Sequence, residues 1–305
     1  MRYLDWRGLD SAVVASLYER EGCYWRDVLS WDMDWTWATL EQARRARRLA
    51  GVVALDAAGQ AQGWTFYIHE AGILRLGGVV ADSPMVTGGL LDVVLDCSPE
   101  GAASCFVLNR APGLEQALIE RGFDVEPYHY LSLDVSSARV PVSDRIDAGE
   151  SWRDEDVVRV PALLDAAYSP ESGRHFAPTG DWAGYVSGLV NQAGCGVFNR
   201  QATRTVHGPE GLEALLLMTT LSPHTAHVGQ LAVHPDRRGR GLASGLLGRA
   251  IRAAEAEGTR TMTLIVGDRN HSARRLYAGM GFSKRATFVA GRREASRGAR
   301  RRVAS

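Results

Sequence analysis

Apolar and polar residues follow one another in blocks that predict helices and strands. In the first half of the chain the pattern predicts helices over residues 10–21 and 41–49, strands at 51–56, 63–68 and 73–80, a helix near 86–96, a strand near 104–109, a helix near 113–121, and a strand at 130–135. Turn-forming residues at 136–148 then predict a linker.

The second half repeats this order of elements. Its pattern predicts a helix near 154–167, a second helix from Trp182, strands near 196–204, 213–221 and 226–233, a helix after a glycine-rich stretch, a strand at 261–266, a helix over 270–280, and a strand at 282–289. A repeated order of elements indicates two copies of one fold.

The two copies differ at the positions where chemistry is expected. We align them by placing Val80 on Val233, which puts Gly88 on Gly241, and then by placing Phe123 on Phe282, which puts Gly122 on Gly281. In these two alignments the first half has Met85 for Arg238, Val86 for Gly239, Leu90 for Ala243, Ala111 for Asn270 and Leu118 for Tyr277. We therefore predict that the first half keeps the scaffold and is not catalytic.

Composition indicates a globular protein large enough for two domains. The chain has 305 residues, of which 45 % are hydrophobic and 23 % charged, and its formal net charge is zero. Its four cysteines lack metal-ligand spacing, so we expect no metal and a cytoplasmic location. We expect no membrane span. The basic end at 293–305 is expected to be a flexible tail, without a nucleic-acid partner.

The glycine-rich stretch lies where an anion site would form. Apolar residues up to Val233 predict a strand, and the run Arg238-Gly-Arg-Gly-Leu-Ala243 leads directly into a helix. Backbone N–H groups at the first turn of a helix are unpaired, and the helix dipole favours negative charge there. Glycines permit close approach of a phosphate. The run therefore predicts a phosphate-binding loop.

This run resembles the [Arg/Gln]-x-x-Gly-x-[Gly/Ala] signature of the GCN5-related N-acetyltransferases, the GNAT superfamily. The stretch from Asn270 to Phe282 is similar to the second motif of that family, Asn-x-x-Ala-x-x-Leu-Tyr-x-x-x-Gly-Phe. The resemblance implies an α/β (α+β) fold of two tandem GNAT-like domains, each a mixed, mostly antiparallel sheet flanked by helices. We expect a degenerate domain at 1–135 and a catalytic domain at 149–292.

The resemblance also implies acetyl-CoA, or another acyl-CoA, as co-substrate. The residues expected to bind it are Leu231, Val233, Arg238, Gly239, Arg240, Gly241, Leu242, Ala243, Ser244 and Asn270. In the family, the strand before the loop diverges from the next strand, and the pantetheine arm bonds to strand backbone in the gap. Leu231 and Val233 would bind in this way.

The resemblance places the general acid at Tyr277, and an ordinary tyrosine pKa of about 10 suits proton donation to a thiolate. Counting back from Val233 to the position of the family's glutamate base gives His227, whose ordinary pKa of about 6.5 suits a base. His224, Glu213 and a chain of water molecules are the alternatives for the base.

Together these features predict an N-acyltransferase that transfers acetyl to a primary amine of a small molecule by direct attack in a ternary complex. Two alternatives stay open at this point. One is a binding module that holds acyl-CoA without turnover, and the other is a protein N-acetyltransferase.

Overall fold

The computed structural model describes residues 1–98, 101–140, 149–168, 181–191 and 196–295. Its strands are β1 (Arg2–Asp5), β2 (Ala50–Leu55), β3 (Ala61–Glu70), β4 (Ile73–Ala81), β5 (Ala103–Leu108), β6 (Asp124–Asp134), β7 (Glu150–Ser151), β8 (Val197–Phe198), β9 (Arg204–Gly208), β10 (Gly211–Ser222), β11 (Thr225–Val233), β12 (Thr261–Gly267) and β13 (Ser283–Arg293). Its α-helices are α1 (Ser11–Leu29), α2 (Asp34–Arg45), α3 (Pro84–Leu95), α4 (Leu114–Glu120), α5 (Val160–Tyr168), α6 (Trp182–Asn191), α7 (Leu242–Ala256) and α8 (His271–Met280).

The chain divides into two compact units. Unit 1 comprises Met1–His129 together with Ala286–Ser305, and unit 2 comprises Tyr130–Arg285. The chain therefore passes from unit 1 to unit 2 within β6 and returns within β13. No helix in the described part of the chain has the length and apolar character needed to cross a membrane.

Unit 1 is built on a mixed sheet with strand order β1-β2-β3-β4-β5-β13. Neighbouring strands are antiparallel except β4 and β5, which are parallel. The apolar face of α3 packs on this sheet through Val86, Leu90 and Val94. A second core of unit 1 contains a buried aromatic cluster. It consists of Trp6, Trp64 and Tyr18, and Tyr18 belongs to α1.

Unit 2 repeats the arrangement with strand order β6-β12-β11-β10-β9-β7, and β8 also pairs with β10. Here β11 and β12 are the parallel pair, and β10 is antiparallel to β11. The helix α7 packs through Leu246, Leu247 and Ile251 on one core of the sheet, while α5 and α6 pack on a second core. The mixed, mostly antiparallel sheet expected for each copy is therefore confirmed.

The observed division differs from the expected domain boundaries in two places. Residues 130–135, expected at the end of the first domain, lie in unit 2, and Ala138 and Val140 of the expected linker pack on the core of unit 2. Residues 286–293 lie in unit 1, because Phe288–Arg293 pair with Leu108–Ala103 of β5. Residues 141–148 of the expected linker and 296–305 of the expected tail lie outside the described residues.

Candidate active site

The parallel strands of unit 2 part beside the glycine-rich loop. Registered pairs between β11 and β12, both within the described residues, run from Thr225↔Thr261 to Val228↔Leu264. On the other side of β11, Gln230 pairs with Leu217 and Val228 pairs with Met218, so Gly229 is an extra residue, a β-bulge. A bulge bends its strand, which explains why β11 leaves β12 at this point.

The register of β11 determines which way its backbone groups point beyond the bulge. The N–H of His234 donates to the carbonyl of Glu213 at 2.8 Å, so this pair faces β10. Backbone direction alternates along an antiparallel strand, so Ala232 also faces β10. The backbone groups of Leu231 and Val233 therefore point to the opposite edge, where β12 has diverged. This direction supports the predicted role of both residues.

The loop between β11 and α7 has the geometry of an anion site. Gly239 and Gly241 both have positive φ, 75° and 80°, a backbone conformation that glycine adopts readily. Gly241 caps α7 without a side-chain hydrogen bond, and the first helical bond runs from the Gly245 N–H to the Gly241 carbonyl at 2.9 Å. The N–H groups of Leu242, Ala243 and Ser244 precede that bond and point out of the helix end.

The arginines of the loop are anchored to the surrounding structure in three ways. Arg238 Nη2 donates to the Ala167 carbonyl at 2.9 Å, near the end of α5. Arg237 Nε pairs with Glu213 at 2.8 Å, and Arg240 Nη2 lies 3.4 Å from the Asp236 carbonyl. These contacts engage the three guanidinium groups, so the backbone N–H groups are the principal donors at the helix end.

The structure corrects the alignment of the two copies at this loop. The strands β4 and β11 both have nine residues, and their last parallel pairs, Leu76↔Cys105 and Val228↔Leu264, correspond. Ala81, not Val80, is therefore equivalent to Val233. Two residues separate β4 from α3, whereas eight separate β11 from α7. Gly88 lies inside α3, so the loop is shorter in unit 1 rather than altered residue by residue.

The second predicted motif forms α8. Asn270 caps this helix by accepting a hydrogen bond from the Ala273 N–H at 3.2 Å, and Gly281 ends it with a φ of 99°. Tyr277 lies on its buried face, in the same core as Val228 and Leu264, with its ring 5.7 Å from that of Phe282. The residue predicted as general acid thus packs in the core that includes the last parallel pair.

His227 lies on β11 two residues before the bulge and is buried. Its Nδ1 is 2.8 Å from the Thr263 hydroxyl, and its ring stacks on that of Tyr130. Burial lowers the pKa of His227 to about 4, because the surroundings disfavour the charged ring. The imidazole is therefore neutral at pH 7, with one ring nitrogen unprotonated, and it is only weakly basic.

The two side chains considered as alternative bases occupy different positions. The carboxylate of Glu213 is paired with Arg237 at 2.8 Å. His224 lies in the exposed turn before β11, five positions from Gly229, which corresponds to about 16 Å of strand. Neither position favours proton transfer at the bulge.

Three polar residues at the bulge were not singled out from the sequence. The Tyr168 hydroxyl donates to Gln230 Oε1 at 3.0 Å, Gln230 Nε2 donates to the Tyr185 hydroxyl at 3.0 Å, and the Tyr185 hydroxyl donates to the Gly229 carbonyl at 3.3 Å. Trp182 lies between the two tyrosine rings. The helical spacing of Trp182 and Tyr185 indicated a packed face but not this hydrogen-bonded chain.

A comparison with protein families matches residues 145–282 to the acetyltransferase (GNAT) family. No protein of curated function matches the chain in sequence. In the described part of the chain, no three His, Cys, Asp or Glu side chains are grouped as metal ligands.

Solved structures with the same fold include members of that family. A GCN5-related N-acetyltransferase from Sphaerobacter thermophilus has a TM-score of 0.60 at 13 % identity over 80 % of each chain. An acetyltransferase of the GNAT family from Colwellia psychrerythraea has a TM-score of 0.55 at 14 % identity, over 96 % of this chain and 100 % of its own. A tandem GNAT protein from the clavulanic acid biosynthesis pathway has a TM-score of 0.51 at 18 % identity, over 81 % and 83 %. These likenesses concern the fold, and the family match shows that residues 145–282 form an acetyltransferase domain of the GNAT family.

Proposed function

We propose that unit 2 transfers the acetyl group of acetyl-CoA to a primary amine of a small molecule, by direct attack in a ternary complex. The observation that carries this proposal is the end of α7. Three outward N–H groups, two glycines with positive φ and nearby arginines form one anion site there. A diphosphate is the ligand that best fits such a helix end.

The same geometry positions the thioester. With the diphosphate at α7, the pantetheine arm would extend along the edge of β11 and bond to the backbone of Leu231 and Val233. The arm would then reach the bulge at Gly229, where the strands part. Asn270 caps the neighbouring helix and would contact the coenzyme from that side.

The reaction needs one proton acceptor and one proton donor. The amine nitrogen attacks the thioester carbon, the tetrahedral intermediate collapses, and the carbon–sulfur bond breaks. The proton lost by the amine goes to His227, directly or through water, and the thiolate receives a proton from Tyr277. Because the pKa of His227 is about 4, a chain of water molecules that carries the proton to bulk solvent is the alternative route when the acceptor is a strongly basic amine.

The acceptor would enter on the face of the sheet that carries Tyr168, Gln230 and Tyr185. These side chains fix the Gly229 carbonyl and surround the bulge with hydroxyl and amide groups. The aromatic rings of Tyr168, Trp182 and Tyr185 add an apolar wall. An amine attached to a partly apolar small molecule suits this combination.

Thiol release from acetyl-CoA with a panel of small amines tests the proposal. We expect release with at least one amine, and we expect Tyr277→Phe to lower turnover about tenfold or more while acetyl-CoA affinity is kept. Tyr67→Phe, which changes a buried tyrosine of unit 1, is the control and should leave turnover unchanged. A fully active Tyr277→Phe enzyme removes Tyr277 from the mechanism.

The same assay separates the other two functions. Release with peptides alone supports a protein N-acetyltransferase. Coenzyme binding without release for every amine and peptide supports a binding module, for which the weak basicity of buried His227 is the favouring observation.

A further inference from the structure

Unit 1 contains a charged cleft at the carboxyl ends of its parallel strands. The cleft has a volume of about 350 Å3 and is lined by Arg20, Glu21, Val80, Ala81, Asp82, Arg110 and Pro112. Ligands of sheet proteins commonly bind at such strand ends. The cleft brings two cations and two anions together, so its formal charge is zero.

The ion pair inside the cleft leaves one edge of a guanidinium available. Arg110 Nε lies 3.3 Å from Glu21 Oε2, and Arg110 Nη2 lies 3.2 Å from Glu21 Oε1. Glu21 is 3 % exposed, and the guanidinium carbon lies 3.9 Å from the centre of the Tyr24 ring. Glu21 therefore uses one edge of Arg110, and among the described residues no acceptor is bonded to Nη1. A second carboxylate can bind to the Nη1–Nη2 edge in a bidentate manner.

Coenzyme A does not fit the same place. The turn between β4 and α3 has two residues, Pro84 has no N–H, and Ser83 accepts the Val86 N–H at 3.3 Å. The gap between the strands is also bridged, because Val80 pairs with Arg110. The helix end that holds a diphosphate in unit 2 thus lacks its donors in unit 1.

We propose that the cleft of unit 1 binds a small zwitterion of the amino-acid type. Its carboxylate would bind the Nη1–Nη2 edge of Arg110, with Arg20 adding positive charge, and its ammonium group would bind Asp82. The neutral charge balance of the cleft matches a ligand with one group of each sign. This inference concerns unit 1 and is independent of the function proposed for unit 2.

Calorimetric titration of the full chain with the common amino acids, one at a time, tests the proposal. We expect binding of at least one amino acid, and at least about tenfold weaker binding by Arg110→Lys, which keeps the positive charge beside Glu21 but has no bidentate edge. Asp82→Asn should weaken binding of that amino acid and leave binding of its deaminated analogue, a simple carboxylate, unchanged.

The matched control is Arg121→Lys. Arg121 also pairs with a carboxylate, Asp92, on the surface of unit 1, and its replacement should leave affinity unchanged. Thermal unfolding of each variant establishes that the fold is intact. Absence of binding for every amino acid, or equal affinity of the wild-type and Arg110→Lys proteins, overturns the proposal. Normal acetyltransfer with no amino-acid binding overturns this inference alone.

Discussion

The two units of this chain differ most at one corner, where the parallel strand leads into the next helix. In unit 2 eight residues connect β11 to α7, whereas in unit 1 two residues connect β4 to α3. The strands before these connections have equal length and equivalent register. The proposed binding of a diphosphate is therefore associated with the length of a connection, while the arrangement of the sheet is common to both units.

The helix ends show how the same backbone serves different purposes. At α3 the Ser83 side chain and Pro84 leave few N–H groups without a partner, which stabilises the helix. At α7 glycine caps the helix, and the outward donors remain available to a ligand. An N–H group at the start of a helix can bond to a capping side chain, which stabilises the helix, or to a bound anion, but not fully to both.

Unit 1 has a corresponding β-bulge at Gly77, because Gly78 pairs with Phe66 and Leu76 pairs with Tyr67, but the surroundings of the two bulges differ. In unit 1 a side chain at Gly77 would overlap the Phe66 ring, and the Thr65 hydroxyl donates to the Gly78 carbonyl at 2.6 Å. In unit 2 the equivalent region carries Tyr185 and Gln230. One bulge is covered by an apolar ring, and the other is surrounded by polar groups suited to an acceptor.

The largest expected effect comes from placing a negative charge in the loop of unit 2. Gly239→Asp should weaken coenzyme A binding about a hundredfold or more in calorimetry, because like charges brought together cost several kcal/mol. Gly258→Asp is the matched control, since both glycines have similar φ, 75° and 77°, and open space around them. Equal losses in both variants would show that the loop is not the anion site.

The next effect concerns the pH dependence of stability in unit 2. The pKa of His227 in the folded chain, about 4, lies below its ordinary value, so the unfolded chain binds the proton first. The contribution of neutral His227 to the free energy of unfolding is present above pH 6.5 and is lost as the pH falls towards 4. Between pH 7 and pH 5 the free energy of unfolding should fall about 2 kcal/mol more in wild type than in His227→Asn.

Urea unfolding at the two pH values measures this difference. His224→Asn, in the exposed turn, serves as the control and should behave as wild type. Equal pH dependence of wild type and His227→Asn would contradict a buried neutral imidazole. The position in unit 1 equivalent to His227 is occupied by Arg75, which pairs with Glu70. The pH dependence due to a buried histidine is therefore expected for unit 2 alone.

A smaller effect is expected at the bulge carbonyls. Tyr185→Phe removes the donor to the Gly229 carbonyl and should lower kcat/KM about fivefold, in line with about 1 kcal/mol for one hydrogen bond. Thr65→Val removes the corresponding donor at the bulge of unit 1 and should leave kcat/KM unchanged. Equal kcat/KM values for the Tyr185→Phe and wild-type enzymes would place the acceptor elsewhere.

The smallest expected effect on ligand binding comes from the helix cap of unit 1. Ser83→Ala should lower the free energy of unfolding by about 1 kcal/mol, and Ser83→Asp should retain most of the stability because aspartate also caps helices. Neither change should alter coenzyme A affinity, and titration should give one coenzyme per chain. A second coenzyme per chain, or an affinity that responds to Ser83, would contradict the contrast between the units.

Much of the fold could be predicted because apolar periodicity survives in both halves. The strand expected at 73–80 is Ile73–Ala81, and the helix expected near 113–121 is Leu114–Glu120. The short edge strand Arg2–Asp5 was missed because its residues are mostly exposed and carry little periodic signal.

The candidate site was predictable only where it depends on local backbone chemistry. The glycine-rich run and Asn270 both predict the start of a helix from local sequence. In the structure Gly241 of that run caps α7 and Asn270 caps α8. The chain of Tyr168, Gln230 and Tyr185 joins residues 62 and 45 positions apart, which no local pattern encodes. The shortened loop was missed because an alignment without gaps pairs glycines by chance.

The return of β13 to unit 1 has a consequence for how this chain is made. The partner of β5 is Phe288–Arg293, so the edge of β5 stays open until β13 has been synthesised. The unit synthesised first is thus the last to be completed. A fragment ending at residue 129 would expose that edge, including Phe106, and should associate with itself more strongly than the full chain does.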